Sequence, residues 1–146
     1  MKRILLCFLL CCVLTDMSAQ QRKQARFTPE RFQAQLEQYI AKKACLTPKE
    51  SAEFFPVYAE MRRKQRFIHN EMKTLKRIKP TTNAECEKNV IKRDELEIEI
   101  KELQKEYHKK FMQILSAKKV YDVLKAEDRF HRQMFKRAAN NKRRKK

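Results

Sequence analysis

A chain of 146 residues without a single glycine has few ways to make tight strand-to-strand turns. Two-residue β-hairpin loops depend on residues that tolerate positive φ, and glycine fills most of those positions. Helices joined by short connections do not need it, so the sequence points to an all-α fold. The same absence removes the glycine-rich loops that cradle nucleotide phosphates. The prolines agree with a helical reading. Pro29 and Pro48 each follow a threonine, as a first helical residue follows its N-cap, and Pro80 lies where a turn is expected.

Four helices follow from caps and apolar stripes. Thr28-Pro29 opens the first, with Phe32, Leu36, Tyr39 and Ile40 on one face and an end near Ala44. Thr47-Pro48-Lys49-Glu50 reads as a capping box, in which the threonine hydroxyl and the glutamate each satisfy a backbone N–H of the first turn. From it Phe54, Val57, Met61, Gln65, Ile68, Met72 and Leu75 step by three or four to an end near Lys79-Pro80. Pro56 falls inside this pattern and should remove one backbone hydrogen bond and bend the first turns. Thr82 to Glu85 is a second capping box, with a seam running Asn89, Arg93, Leu96, Ile100, Leu103, Tyr107, Phe111 and Ile114. Ile91, Ile98 and Met112 lie roughly opposite that seam and imply a second neighbour, a dimer partner or a wrapping helix. Ser116 caps a last helix with Val120, Val123, Leu124, Phe130, Met134 and Phe135 facing inward. The two middle helices, each about 45 Å long and joined by a few residues, should form a long antiparallel hairpin.

The ends are organised differently. Met1-Lys2-Arg3, the apolar run Ile4–Leu14 and the small residues before Gln20 have the order of a secretory signal peptide, with cleavage expected after Ala19. The apolar run is shorter than the roughly 20 residues that span a bilayer. Removing residues 1–19 would take away Lys2, Arg3 and Asp16 and change the net charge from +18 to +17. The expected organisation is therefore a signal peptide over 1–19, a linker over 20–26, one helical domain over 27–139 and a basic disordered tail over 140–146. Cys45 and Cys86 would remain in an exported chain. They fall near opposite ends of the long hairpin, so no bond within one chain is expected, although an antiparallel dimer could bring Cys45 of one copy near Cys86 of the other.

Leu46-Thr47-Pro48-Lys49-Glu50, followed by Phe54-Phe55-Pro56-Val57-Tyr58, and Leu115-Ser116-Ala117-Lys118-Lys119, with Phe130 downstream, resemble the paired L-T-x-x-Q elements of the periplasmic Spy/CpxP family. The resemblance spans roughly residues 27–139. Both copies depart from the pattern at its last position, where Glu50 and Lys119 replace glutamine. The resemblance implies a thin, cradle-shaped, antiparallel helical dimer in the periplasm. Its functions would be ATP-independent chaperoning of unfolded envelope proteins, restraint of an envelope-stress sensor, or metal-responsive sensing. Leu46, Thr47, Glu50, Leu115 and Ser116 would be its motif and cap residues.

The residues themselves favour binding over catalysis. Arg62, Arg66, Lys73 and Arg77 share one flank of the second helix, with Arg63 and Phe55 nearby, and Glu53, Glu60 and Glu71 lie on the other. A basic stripe beside aromatic groups can steer acidic, partly unfolded chains and hold them by loose apolar contact; the plainer alternative is a solvated face with pairs such as Glu60–Lys64. The Lys142–Lys146 segment could meet nucleic acid, an anionic surface or acidic clients, or could simply solubilise the chain. His69, His108 and His131 stand apart on three helices, without the convergent spacing that a zinc site needs. No serine or cysteine has a neighbouring histidine in sequence, and Thr47, Thr82 and Ser116 are accounted for as caps. The expected protein is a non-enzymatic binding module with no catalytic residue, metal or cofactor. Unfolded proteins, a sensor partner or a second copy of itself are the partners implied, and a basic structural protein that binds nucleic acid or an anionic envelope surface is the remaining alternative.

Overall fold

The computed structural model describes residues 28–144. The expected signal peptide and linker lie outside the described residues. Among those described, the regular structure is four α-helices: α1 (Pro29–Lys43), α2 (Pro48–Leu75), α3 (Asn83–Ile114) and α4 (Ala117–Arg143). None is long and apolar enough to cross a membrane. The described residues divide into two units between Gln33 and Ala34. In the described part of the first, the Thr28 hydroxyl accepts from Arg31 N at 3.2 Å, which caps α1.

The starts of α2 and α3 follow from local chemistry. Thr47 Oγ1 accepts from Glu50 N at 3.2 Å while Glu50 Oε2 accepts from Thr47 N at 2.8 Å. Thr82 and Glu85 repeat this arrangement at 3.2 and 3.1 Å, and Glu85 Oε2 also takes Thr81 N at 2.8 Å. These hydrogen bonds, led by the one from the Thr81 backbone, hold the Glu85 carboxyl below the usual range. Ser116 Oγ accepts from Lys119 N at 3.3 Å and starts α4. Between α1 and α2 the chain turns at Cys45, whose φ of 49° is left-handed. Leu46 N then reaches back to Ala41 O at 3.0 Å. That is a Schellman closure, whose left-handed residue is usually glycine.

The main core joins all four helices. Leu36 and Ile40 of α1, Phe54, Tyr58 and Met61 of α2, Tyr107 and Phe111 of α3, and Val120, Val123, Ala126 and Phe130 of α4 are buried. Its aromatic centre is Phe54 edge-on to Phe111 at 4.8 Å and stacked with Tyr58 at 5.6 Å. Tyr39 meets Phe130 at 5.5 Å on the α1–α4 side. A second, smaller cluster is built from α2 and α3 alone: Ile68, Leu96 and Ile100, with Met72, Leu75 and Leu103 packed against it. Beyond it Asn89 Nδ2 donates to Leu75 O at 3.5 Å.

Several expectations are corrected. Helix α2 ends at Leu75, not near Lys79; Arg77 N and Ile78 N make i→i−3 bonds to Thr74 O and Leu75 O at 3.0 and 3.2 Å. Pro80 disfavours helical geometry in the residue before it, so the last turn tightens and unwinds early. The buried residue in the third turn of α2 is Tyr58, while Val57 is only half-buried. Arg93 is exposed and pairs with Glu97 along its own helix at 3.5 Å, because a guanidinium on this narrow helix pair keeps its solvent. Phe135 is 75% exposed; it lies about 100° round the helix from half-buried Met134, off the seam. Helix α4 runs on to Arg143, so residues 140–143 are helical where a disordered tail was expected. Ala138, Ala139, Lys142 and Arg143 are good helix formers and carry the helix past the weaker Asn140 and Asn141 even where nothing is buried. Cys45 and Cys86 are both exposed, free thiols.

Candidate functional site

The sequence stripe divides into two parts of different character. Arg66 and Lys73 are exposed along α2 with Arg63 beside them, and Arg77 is exposed in the turn that follows. Arg62 is not free. Its Nη1 lies 3.1 Å from Glu127 Oε1 of α4, both side chains being largely covered, and its Nε is buried without a hydrogen-bond partner. Glu127 Oε1 also accepts from the Tyr58 hydroxyl at 2.8 Å and lies 3.7 Å from His131 Nε2. Burial opposes ionisation of Glu127, but His131, Tyr58 and Arg62 outweigh it and keep its carboxyl below the usual range. Burial, and then the Glu127 charge, push the Tyr58 phenol far above its ordinary value. This cluster is a rivet between α2 and α4. Phe55 is half-buried and meets Phe54 and Tyr58 in edge-to-face contacts at 5.3 and 6.4 Å, so it is not a free aromatic group.

The motif residues form a second link between the same helices. Leu46 is half-buried and Leu115 buried, each in the turn just before a cap. Lys119 Nζ contacts both carboxylate oxygens of Glu50, at 2.7 and 2.6 Å. That hydrogen bond, then the one from the Thr47 backbone, lowers the Glu50 carboxyl to about 2. The Glu50–Lys119 and Tyr58–Glu127 pairs are both separated by 69 residues. Equal separation at two points means that α2 and α4 run side by side in the same direction.

The opposite flank of the α2–α3 pair is acidic and aromatic. Phe67, 68% exposed, stands beside a shallow cavity of about 410 Å³ with Ile68 and Leu103 at its floor and Glu99, Glu102, Glu106 and Lys64 around it. Lys64 and Lys110 lie over the Tyr107 ring at 5.3 and 4.3 Å and are held along their own helices by Glu60 and Glu106, at 3.2 and 2.6 Å. The arginine stripe and this groove thus give the two sides of one helix pair opposite charge. Sequence reasoning missed Phe67, Tyr58 and Glu127; the one available signal was the repeated 69-residue spacing, which is visible only once the pairs are known.

The histidines stay apart. His108 packs on Phe111 at 6.0 Å, and burial lowers its pKa. His69 is exposed. Among the described residues, no three histidines, cysteines or carboxylates gather as a metal site would need. No protein-family model, curated protein or solved structure matches this chain.

Proposed function

We propose that this protein is an exported, ATP-independent holdase of the Spy/CpxP type, with the α2–α3 pair as an antiparallel hairpin whose flanks hold unfolded envelope proteins and with a cradle-shaped dimer as its working form. The observation that carries the reading is the amphipathic, solvent-facing surface of that pair. Arg66, Lys73 and Arg77 on one flank and Phe67 on the other accompany exposed Val90, Ile91 and Ile98 on α3. Scattered apolar groups among exposed cations suit loose, sequence-tolerant binding better than recognition of one shape. The descending contacts from Phe54–Phe111 through Ile68–Ile100 to Leu75–Asn89 support the hairpin. The exposed Ile91 and Ile98 support a second copy as a neighbour.

Light scattering of several unrelated, chemically unfolded proteins, mixed with the chain lacking residues 1–19 and without ATP, tests the reading. Suppression of aggregation across clients is the expected result. Reversal of Arg66, Lys73 and Arg77 together should then weaken it for acidic clients; Arg62 is left out because its reversal would break the Glu127 cluster. No suppression, with saturable binding to the outer domain of one membrane sensor, would replace the holdase by a regulator that restrains that sensor.

A further inference from the structure

The geometry points to the turn between α2 and α3 as a docking surface for an anionic lipid bilayer. This inference is independent of the holdase reading. Between Lys73 and Lys92 the chain carries six cations and two carboxylates. One of those carboxylates, Glu85, is consumed as the cap of α3, where it takes the Thr81 and Thr82 amides. Within this basic segment the apex residue is apolar: Ile78, between Arg77 and Lys79, is 55% exposed. Beneath it lies a cavity of about 330 Å³ with Leu75, Ile78 and Pro80 as apolar wall and Lys79, Lys88 and Lys92 among its rim. The closing contact behind the turn is Asn89 to Leu75 O, so the turn is fixed to the helix pair by its own residues.

Each element of this arrangement selects among polyanions. A nucleic acid would be met by cations and free amides, and would leave an exposed isoleucine at the apex without a role. Here the Glu85 carboxylate already takes the Thr81 and Thr82 amides and the Thr82 hydroxyl takes that of Glu85, so attraction rests chiefly on lysine and arginine side chains. Such side chains lay their stems along apolar surface and keep their charged ends at the level of phosphates. A bilayer interface supplies both layers, an anionic headgroup plane and an acyl boundary just below it. Pro80 has no N–H to desolvate on approach, and the N–H of Ile78 is already bonded to Leu75 O. Inserting the apex therefore buries an aliphatic side chain whose own N–H is already paired.

The chain contains no tryptophan, so Ile78→Trp provides a single reporter at the apex and Phe135→Trp one at a still more exposed site on α4. Both full-length variants are mixed with vesicles of phosphatidylglycerol in phosphatidylcholine and with vesicles of phosphatidylcholine alone. The expected result is a shift of the position-78 emission to shorter wavelength with anionic vesicles only, and no shift at position 135. Co-sedimentation then compares Arg77→Glu/Lys79→Glu with Arg132→Glu/Lys136→Glu, which changes the net charge equally on exposed residues of α4. With a loss on the order of fivefold per surface cation, the tip pair should weaken vesicle binding by about 25-fold or more, and the α4 pair by much less. Equal losses from both pairs would overturn the proposal, since net charge alone would explain binding. So would co-sedimentation with an unshifted position-78 emission, or a tip pair that loses duplex DNA binding and keeps vesicle binding.

Discussion

Lys119 Nζ bridges both carboxylate oxygens of Glu50, so the third residue after the Ser116 cap is clamped to the third residue after the Thr47 cap. The two residues hold matching positions after their caps and complement each other in charge. Glu50 does two tasks at once, capping α2 through Thr47 N and holding α4 through Lys119. With its folded pKa depressed to about 2 from an ordinary 4.5, the unfolded chain binds the proton more readily. The contribution is therefore complete above the ordinary value and is lost as pH falls from 4.5 towards 2. Thermal midpoints measured across that window should fall with acid in the parent, and less steeply in Glu50→Gln. Lys119→Gln should lower the midpoint at neutral pH, and adding Glu50→Gln to it should cost less than Glu50→Gln does alone.

The Glu127 cluster predicts an asymmetric response to truncation. Tyr58→Phe removes one hydrogen bond and should cost about 1 kcal/mol. Glu127→Ala leaves the Arg62 guanidinium largely covered and the Tyr58 hydroxyl buried with no acceptor, and should cost about 3–5 kcal/mol. Urea unfolding distinguishes them. Comparable losses from the two changes would mean that Arg62 swings out to solvent when its partner is removed.

Cys45 occupies a left-handed position in a chain that has no glycine to place there. A side chain with a Cβ is strained in that geometry by about 1–2 kcal/mol. Cys45→Gly should therefore stabilise the protein by about 1 kcal/mol, the gain being reduced by the greater freedom of glycine in the unfolded chain. Cys45→Ala, which keeps the Cβ, should give no comparable gain. Cys45→Val should destabilise, since branching at Cβ worsens the clash. Denaturant midpoints for the three variants give the test.

The features legible in the sequence are those decided within a few residues. Thr47 with Glu50, Thr82 with Glu85, and Ser116 each announce a helix start because donor and acceptor are three residues apart. The apolar periodicity likewise marks Phe54, Met61 and Ile68, or Leu96, Ile100 and Phe111, as core. What was not legible depends on register between helices. Arg62 shares a helical face with Arg66 and Lys73, and nothing local separates it from them; its partner Glu127 is 65 residues away on α4. Tyr58 and Val57 are both acceptable next to Phe54, and the choice between them is made by Phe111 and Glu127 rather than by α2. Phe135 looked like a core residue because it is aromatic, but α4 buries little after Phe130, and apolar character alone does not bury a side chain that has no neighbour.

Pro56 lies at the ninth residue of α2 and the helix continues through it without interruption. Its ring cannot donate to the Ala52 carbonyl and crowds that carbonyl as well, a combination that costs about 3 kcal/mol in a helix interior. Pro56 is exposed, so replacing it removes little packing. Pro56→Ala should therefore raise the unfolding free energy by about 2–3 kcal/mol, part of the full value being offset because proline also restricts the unfolded chain. The residues on either side give the change a structural readout. Phe55 and Val57 are half-buried, and Phe54 and Tyr58 belong to the aromatic centre around Phe111. If the proline sets the angle at which these rings meet α3 and the Tyr58 hydroxyl meets Glu127, straightening the helix would disturb them. The gain would then fall below about 1 kcal/mol, and the Tyr58→Phe cost would shrink in the Pro56→Ala background. A full gain with an unchanged Tyr58→Phe cost would instead show that the strain is local to the Ala52 carbonyl.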